Sequence, residues 1–118
     1  MINPTFETLV LELTSTLGSP KEHVSDSGAS FTSTKKGKVT VYHSNVAAGN
    51  HAEIAIDIAS HSARLGISER EMRDRIIQAR AATGRSVDTN AQYDWPRIGL
   101  SSLDHVSIVL KTLRPTEP

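Results

Sequence analysis

The chain contains no cysteine. That absence removes disulfide frameworks, thiolate nucleophiles and cysteine-ligated zinc or iron–sulfur clusters together. Aromatic residues are nearly as scarce: two Phe, two Tyr and one Trp serve 118 residues, so each is expected to carry a large share of the packing. Neither sign of charge is in excess. Thirteen basic and thirteen acidic residues cancel, and no global field draws the chain toward nucleic acid, an anionic membrane or an acidic substrate. Long apolar runs are missing as well. No segment approaches the ~20 apolar residues that cross a bilayer, and no basic stretch followed by an apolar run stands at the start, so the expectation is a cytoplasmic protein without membrane contact.

A chain of this length buries one two-layer core but not a second, so residues 1–114 are expected to form a single α+β domain, with 115–118 a short C-terminal tail. The first element is a helix with both ends marked. Asn3 caps it, Pro4 fits its first turn, and Gly18 before Ser19-Pro20 stops it. Phe6, Leu9, Val10, Leu13 and Leu17 form its apolar stripe, while Leu11 points away. "ASFTST" and "VTVYHS" then flank "KKGK" as a hairpin, and pairing Thr34 with Val39 places Phe31 opposite Tyr42.

Residues 49–66, "GNHAEIAIDIASHSARLG", allow two readings. As a strand, Ile54, Ile56 and Ile58 alternate on one face, and His51, Glu53, Asp57 and His61 look to solvent or a second layer. Ten extended residues span about 33 Å, too far for His51 and His61 to share a ligand. As a helix, Asn50 and Glu53 form a capping box and Gly66 the stop. The strand is favoured, because unbroken alternation of β-branched residues is the more demanding pattern. Beyond it, Ser68 and Glu71 cap a helix to about Thr83, with Ile67 and Met72 as a hydrophobic staple and Gly84 as its stop.

Residues 86–94 read as loop, "WPRIGL" as an edge strand, and Ser102 as the cap of a last helix with Leu103, Val106, Leu110 and Leu113 inward. The order α-β-β-β-α-β-α predicts a small, mainly antiparallel sheet with helices on one face. That order is similar to the order in several unrelated small families, the MmcQ/YjbR-like proteins among them.

No catalytic constellation emerges. Asp104 and His105 are adjacent in a helix and point about 100° apart, and "GLSSL" lacks the second glycine of a nucleophile elbow, which makes a small hydrolase the least favoured reading. His51 and Glu53 are too few for a zinc site, so neither metal nor other cofactor is expected. The favoured function is a non-enzymatic module acting through a protein partner or its own dimer. Leu11 and Ile108, each opposite its helix's core stripe, are the candidate partner surface, with Tyr93, Trp95 and Arg97, which alternate on one side of an extended segment.

The alternative is nucleic-acid binding through Lys35, Lys36 and Lys38 at the hairpin tip, with Arg80 and Arg85, which have no acidic residue four positions away. Within residues 58–76, "RLGISEREMRDRI" resembles the turn and second helix of helix-turn-helix DNA-binding domains. Gly66 stands at the turn, Leu65 and Ile67 around it, and Met72 and Ile76 inward. The resemblance implies that Ser68, Glu69, Arg70 and Arg73 meet the major groove. His61 and Ser62 depart from it, since that family usually has an apolar residue followed by alanine there.

Overall fold

The computed structural model describes residues 3–18, 28–32, 36–44, 46–87 and 95–114. Helix α1 (Pro4–Leu17) begins as the sequence dictates: the Asn3 carboxamide oxygen accepts from the Phe6 N–H at 2.8 Å. Strands β1 (Gly28–Phe31), β2 (Val39–Tyr42), β3 (Ala52–Ile56) and β4 (Arg97–Leu100) form an antiparallel sheet in the order β1-β2-β3-β4. Three more helices complete the domain: α2 (Ile58–Leu65), α3 (Glu69–Thr83) and α4 (Leu103–Leu113). Helix α4 packs against both α1 and α3, and α3 also packs on α2 and β4.

Strand alternation sorts the sheet's residues cleanly. Ala29, Phe31, Val39, Val41, Ala52, Ile54, Ile56, Ile98 and Leu100 are buried in a core with Phe6, Leu9 and Leu13 of α1, Met72 and Ile76 of α3, and Val106, Val109 and Leu113 of α4. The opposite face carries two cross-strand rows, Gly28–Tyr42–Glu53–Gly99 and Ser30–Thr40–Ala55–Arg97. The α+β architecture with helices layered on the sheet is thus the expected one, with one helix more than the sequence announced.

That extra helix resolves the ambiguity of residues 52–65, because both readings hold in succession. The stretch is strand to Ile56 and helix from Ile58. Asp57 is the hinge: its N–H donates to the Lys38 carbonyl at 3.1 Å, while its own carbonyl accepts from the His61 N–H at 3.3 Å and opens α2. The Asn50–Glu53 capping box does not form, since these residues precede and occupy a strand. Ser68 caps α3 as expected, its hydroxyl accepting from the Glu71 N–H at 3.0 Å.

Two further expectations are corrected. Phe31 pairs with Val39 and Gly28 with Tyr42, so Thr34 is not the partner of Val39, and residues 32–38 rather than 35–38 connect β1 to β2. The longer loop keeps Phe31 on the helix side and releases Tyr42 to the other face, whereas pairing them would force both onto one face. Leu103 is 54% exposed rather than inward, and Val109 fills the stripe of α4 in its place. The helix still stops at the residue before Pro115, where Arg114 is extended at φ −85°, ψ 150°.

Of the glycines with positive φ, Gly66 and Gly37 hold it for different reasons. Gly66 (φ +69°) ends α2 in the left-handed conformation with open space around its missing Cβ, whereas a Cβ on Gly37 (φ +94°) would lie 2.2 Å from Cε1 of the His61 ring. Gly66→Ala is therefore expected to cost only the backbone term, about 1 kcal/mol, and Gly37→Ala the clash as well, roughly 2–4 kcal/mol. Thermal melts of the two variants check the ranking; equal losses would contradict the packing of the hairpin turn on His61.

Candidate functional site

The most unusual group in the molecule is a carboxylate in mid-sheet. Glu53 is fully buried on the face away from the helices, where alternation alone leaves a side chain half exposed. Its Oε2 accepts from the Ala47 N–H at 2.6 Å and the Asn50 carboxamide at 2.9 Å, and its Oε1 pairs with Arg97 Nη1 at 3.0 Å. The Arg97 guanidinium in turn lies over the Tyr42 ring, 4.1 Å from its centroid. Sheet register produces this grouping: Tyr42 is directly opposite Glu53, and Arg97, paired with Ala55, is Glu53's diagonal neighbour.

The cluster extends into two loops. Asn50 also donates to the Ser86 carbonyl at 2.7 Å, and its Oδ1 accepts from Arg85 Nε at 2.8 Å, while Arg85 Nη2 reaches the Ala48 carbonyl at 3.2 Å. Gly99 makes room for this layer, since a Cβ there would lie 2.7 Å from the Asn50 amide nitrogen and 3.0 Å from Arg85 Cβ. Chemically the group is a set of charge-assisted hydrogen bonds closed on itself, suited to fixing backbone segments rather than to transferring a proton.

A second polar centre sits beside the hairpin turn. His61 is fully buried in α2, with Nε2 3.2 Å from the Lys38 carbonyl and Nδ1 3.1 Å from Arg64 Nη2. A carbonyl only accepts and a guanidinium only donates, so the ring is the neutral tautomer with its proton on Nε2. Burial first, and then the Arg64 charge, lower its pKa to about 4. Arg64 Nη2 also donates to the Leu113 carbonyl, and burial lowers the guanidinium's own pKa. Arg75 of α3 donates to the adjacent Arg114 carbonyl at 3.1 Å, so arginines from two helices cap the C-terminus of α4, where cations are favoured.

The sequence-predicted residues are scattered by the fold. Lys36 is exposed and Lys38 half-buried beside His61; Lys35 and Tyr93 lie outside the described residues. Arg80 is half-buried, but Arg85 is not free, since its guanidinium holds Asn50 and Ala48. Arg97 is bound to Glu53 and Tyr42 with its side chain only 13% exposed, and Trp95 is half-buried just before β4. Leu11 stands 69% exposed on α1, next to α4, whereas Ile108 is half-buried against the core. Ile77 on α3 and Leu103 on α4 join Leu11 as exposed large apolar residues, at 55% and 54%.

Residues 58–83 do form two helices joined by a short turn with Gly66 left-handed, and the departures from the helix-turn-helix pattern, His61 and Ser62, are both buried where that pattern has apolar residue and alanine. Sequence reading missed Tyr42, Asn50 and Glu53 as one cluster. The legible signal was Gly99, a glycine inside a short strand, which marks a close approach by another segment. Among the described residues no three His, Asp or Glu gather as a metal site, and no helix is long and apolar enough to cross a membrane. No family model, curated protein or solved structure matches this chain.

Removing Arg97 strands a buried carboxylate. Arg97→Ala is expected to destabilise by roughly 3–5 kcal/mol in urea unfolding, and the double variant Glu53→Gln/Arg97→Met to recover most of that loss. A cost below about 1 kcal/mol for Arg97→Ala would show that Asn50 and Ala47 satisfy the charge without it.

Proposed function

We propose that this chain is a small cytoplasmic binding module acting through a protein surface, either a partner or a second copy of itself. The observation that carries the reading is Leu11, 69% exposed on a helix whose other apolar residues are nearly all in the core, with Leu103 exposed on α4, which packs against α1, and Ile77 exposed on α3. An outward leucine of this kind costs little alone but contributes once covered, about 25 cal/mol per Å² of apolar area removed from water. Two further facts support binding over catalysis. The buried carboxylate and the buried imidazole both hold structural partners, and Arg85 and Arg97 are committed with them.

For self-association, sedimentation equilibrium is expected to give a mass near twice 12.8 kDa, lowered toward the monomer by Leu11→Glu with no loss of melting temperature. A wild-type monomer leaves the hetero-partner form of the reading. Should Leu11→Glu leave every association of the chain unaltered, the reading fails.

A nucleic-acid reading is favoured by one observation, the paired helices α2 and α3 around Gly66. Arg70 and Arg73 are exposed on α3, and Lys36 on the hairpin tip. On this reading a gel shift with random duplex shows a complex at low salt that weakens steeply as salt rises, and Arg70→Glu/Arg73→Glu abolishes it. Absence of any complex at low salt excludes it.

A further inference from the structure

His61 is wholly buried with both ring nitrogens engaged, one by the Lys38 carbonyl 23 residues earlier in the chain and one by Arg64 of its own helix. Through Nε2 it holds the Lys38 carbonyl, at the turn between β1 and β2. Through Nδ1 it accepts from Arg64, whose same nitrogen reaches the Leu113 carbonyl in the last turn of α4. The ring also fills the space left by Gly37, and the Lys38 N–H donates to Ser60 of α2 at 2.9 Å. One imidazole therefore joins three parts of the chain: the hairpin turn, α2 and the C-terminal end of α4.

We propose that His61 and Arg64 form an acid-released latch: the neutral imidazole ties the hairpin turn and the end of α4 to α2, taking up a proton breaks the Arg64 tie, and the charge left in the interior then favours opening of both segments, which returns the ring to water, over the Nε2–H bond to Lys38 that survives. The donor–acceptor logic is strict. A proton on Nδ1 turns the acceptor of the Arg64 hydrogen bond into a donor aimed at a donor, and sets two positive charges 3.1 Å apart. Arg64 is then repelled from the ring, and its Nε, already buried without a partner, gains nothing by staying. The Leu113 carbonyl loses its donor with it.

The groups acting on the ring set the direction. Within α2, Arg64 opposes protonation, and Asp57 at the helix start favours it more weakly; from the hairpin the Lys38 carbonyl favours it, and burial outweighs both. On the far side of the contact, α4 presents the Leu113 carbonyl through Arg64, and α3 presents Arg75 to the Arg114 carbonyl beside it. The sign follows from linkage. The folded ring protonates near pH 4 and an exposed ring near 6.5, so the latch is at full strength above pH 6.5 and weakens continuously as the pH falls toward 4. Between pH 7 and pH 5 the opening equilibrium is expected to rise about twentyfold, the ratio those two pKa values give.

Hydrogen exchange on the wild-type chain, corrected for intrinsic rates, tests this. The amides of residues 36–39 and 110–114 are expected to open about twentyfold more at pH 5 than at pH 7, while those of β3 keep their protection. In His61→Gln, whose amide both donates and accepts but does not titrate, the pH dependence of these amides is expected to disappear. Equal acceleration throughout the sheet would mean global unfolding and overturn the latch, as would an unchanged pH response in His61→Gln. Should that variant fail to fold, nitrogen-15 NMR of the wild-type ring decides. A proton on Nε2 with no titration down to pH 5 supports the latch, and a proton on Nδ1 or titration near pH 6.5 refutes it.

Discussion

A carboxylate removed from water must find its solvation in the protein, and the Glu53 carboxylate imposes that demand on half of the structure. Its position in β3 is fixed by Ala52 and Ile54 on either side of it, which with Ile56 point into the helix-side core and leave Glu53 no choice of face. Four segments then assemble to satisfy it. The loop before β3 supplies the Ala47 N–H and Asn50, β4 supplies Arg97, β2 supplies the Tyr42 ring beneath Arg97, and the chain after α3 is held through Arg85 and Ser86. Buried ion pairs are weak sources of stability compared with apolar packing, but their geometry is selective. A register slip of β4 by one residue would carry Arg97 to the other face and leave Glu53 uncompensated, so the pair specifies the register of an edge strand only four residues long.

How far the sequence discloses this fold depends on whether the information is local. Caps are local, and Asn3, Ser68 and Gly66 do what their identities announce. Helical stripes are nearly local, which is why Phe6, Leu9, Leu13 and Leu17 are legible while Leu103, in a first turn, is not. Register between β1 and β2 is not local. It depends on the length of an intervening loop and on which face has room for an aromatic ring, and Tyr42 is drawn to the face where Arg97 waits, fifty-five residues further on. The Glu53 cluster combines four segments in the same way, so only its footprint, the small residue at 99, is written in any one of them.

The same reasoning explains why charge seemed more available in the sequence than it is in the fold. Arg85 and Arg97 have no acidic residue four positions away, so the i, i+4 pairing rule assigns a partner to neither. Their partners are a carboxamide and a carboxylate 35 and 44 residues away. Local rules err in the other direction on α3, where Arg75 has Glu71 at the favourable spacing yet its guanidinium reaches the Arg114 carbonyl, at the negative end of α4. A functional surface built from cations is correspondingly smaller than the sequence suggests, and the exposed apolar residues of α1, α3 and α4 gain weight as the feature the fold itself does not use.

His51, Glu53, Asp57 and His61 are the residues that in one line of text most resemble a site, and the fold gives them four separate duties. His51 closes the start of β3 through its backbone, its N–H donating to Leu100 and its carbonyl accepting from Asn3. Glu53 gathers the loops on one side of the sheet; Asp57 turns strand into helix; His61 fastens the hairpin turn and α4 at the other side. The break at Asp57 is what separates them, because it sends β3 and α2 in different directions and puts the carboxylate and the imidazole in different environments. Glu53 is met by three donors, whereas the His61 ring, its pKa lowered by burial first, has an arginine beside it. Two ionisable residues eight positions apart thus meet burial with different partners, donors gathered from the preceding loop and a neighbouring strand for Glu53 and a carbonyl and a guanidinium for His61.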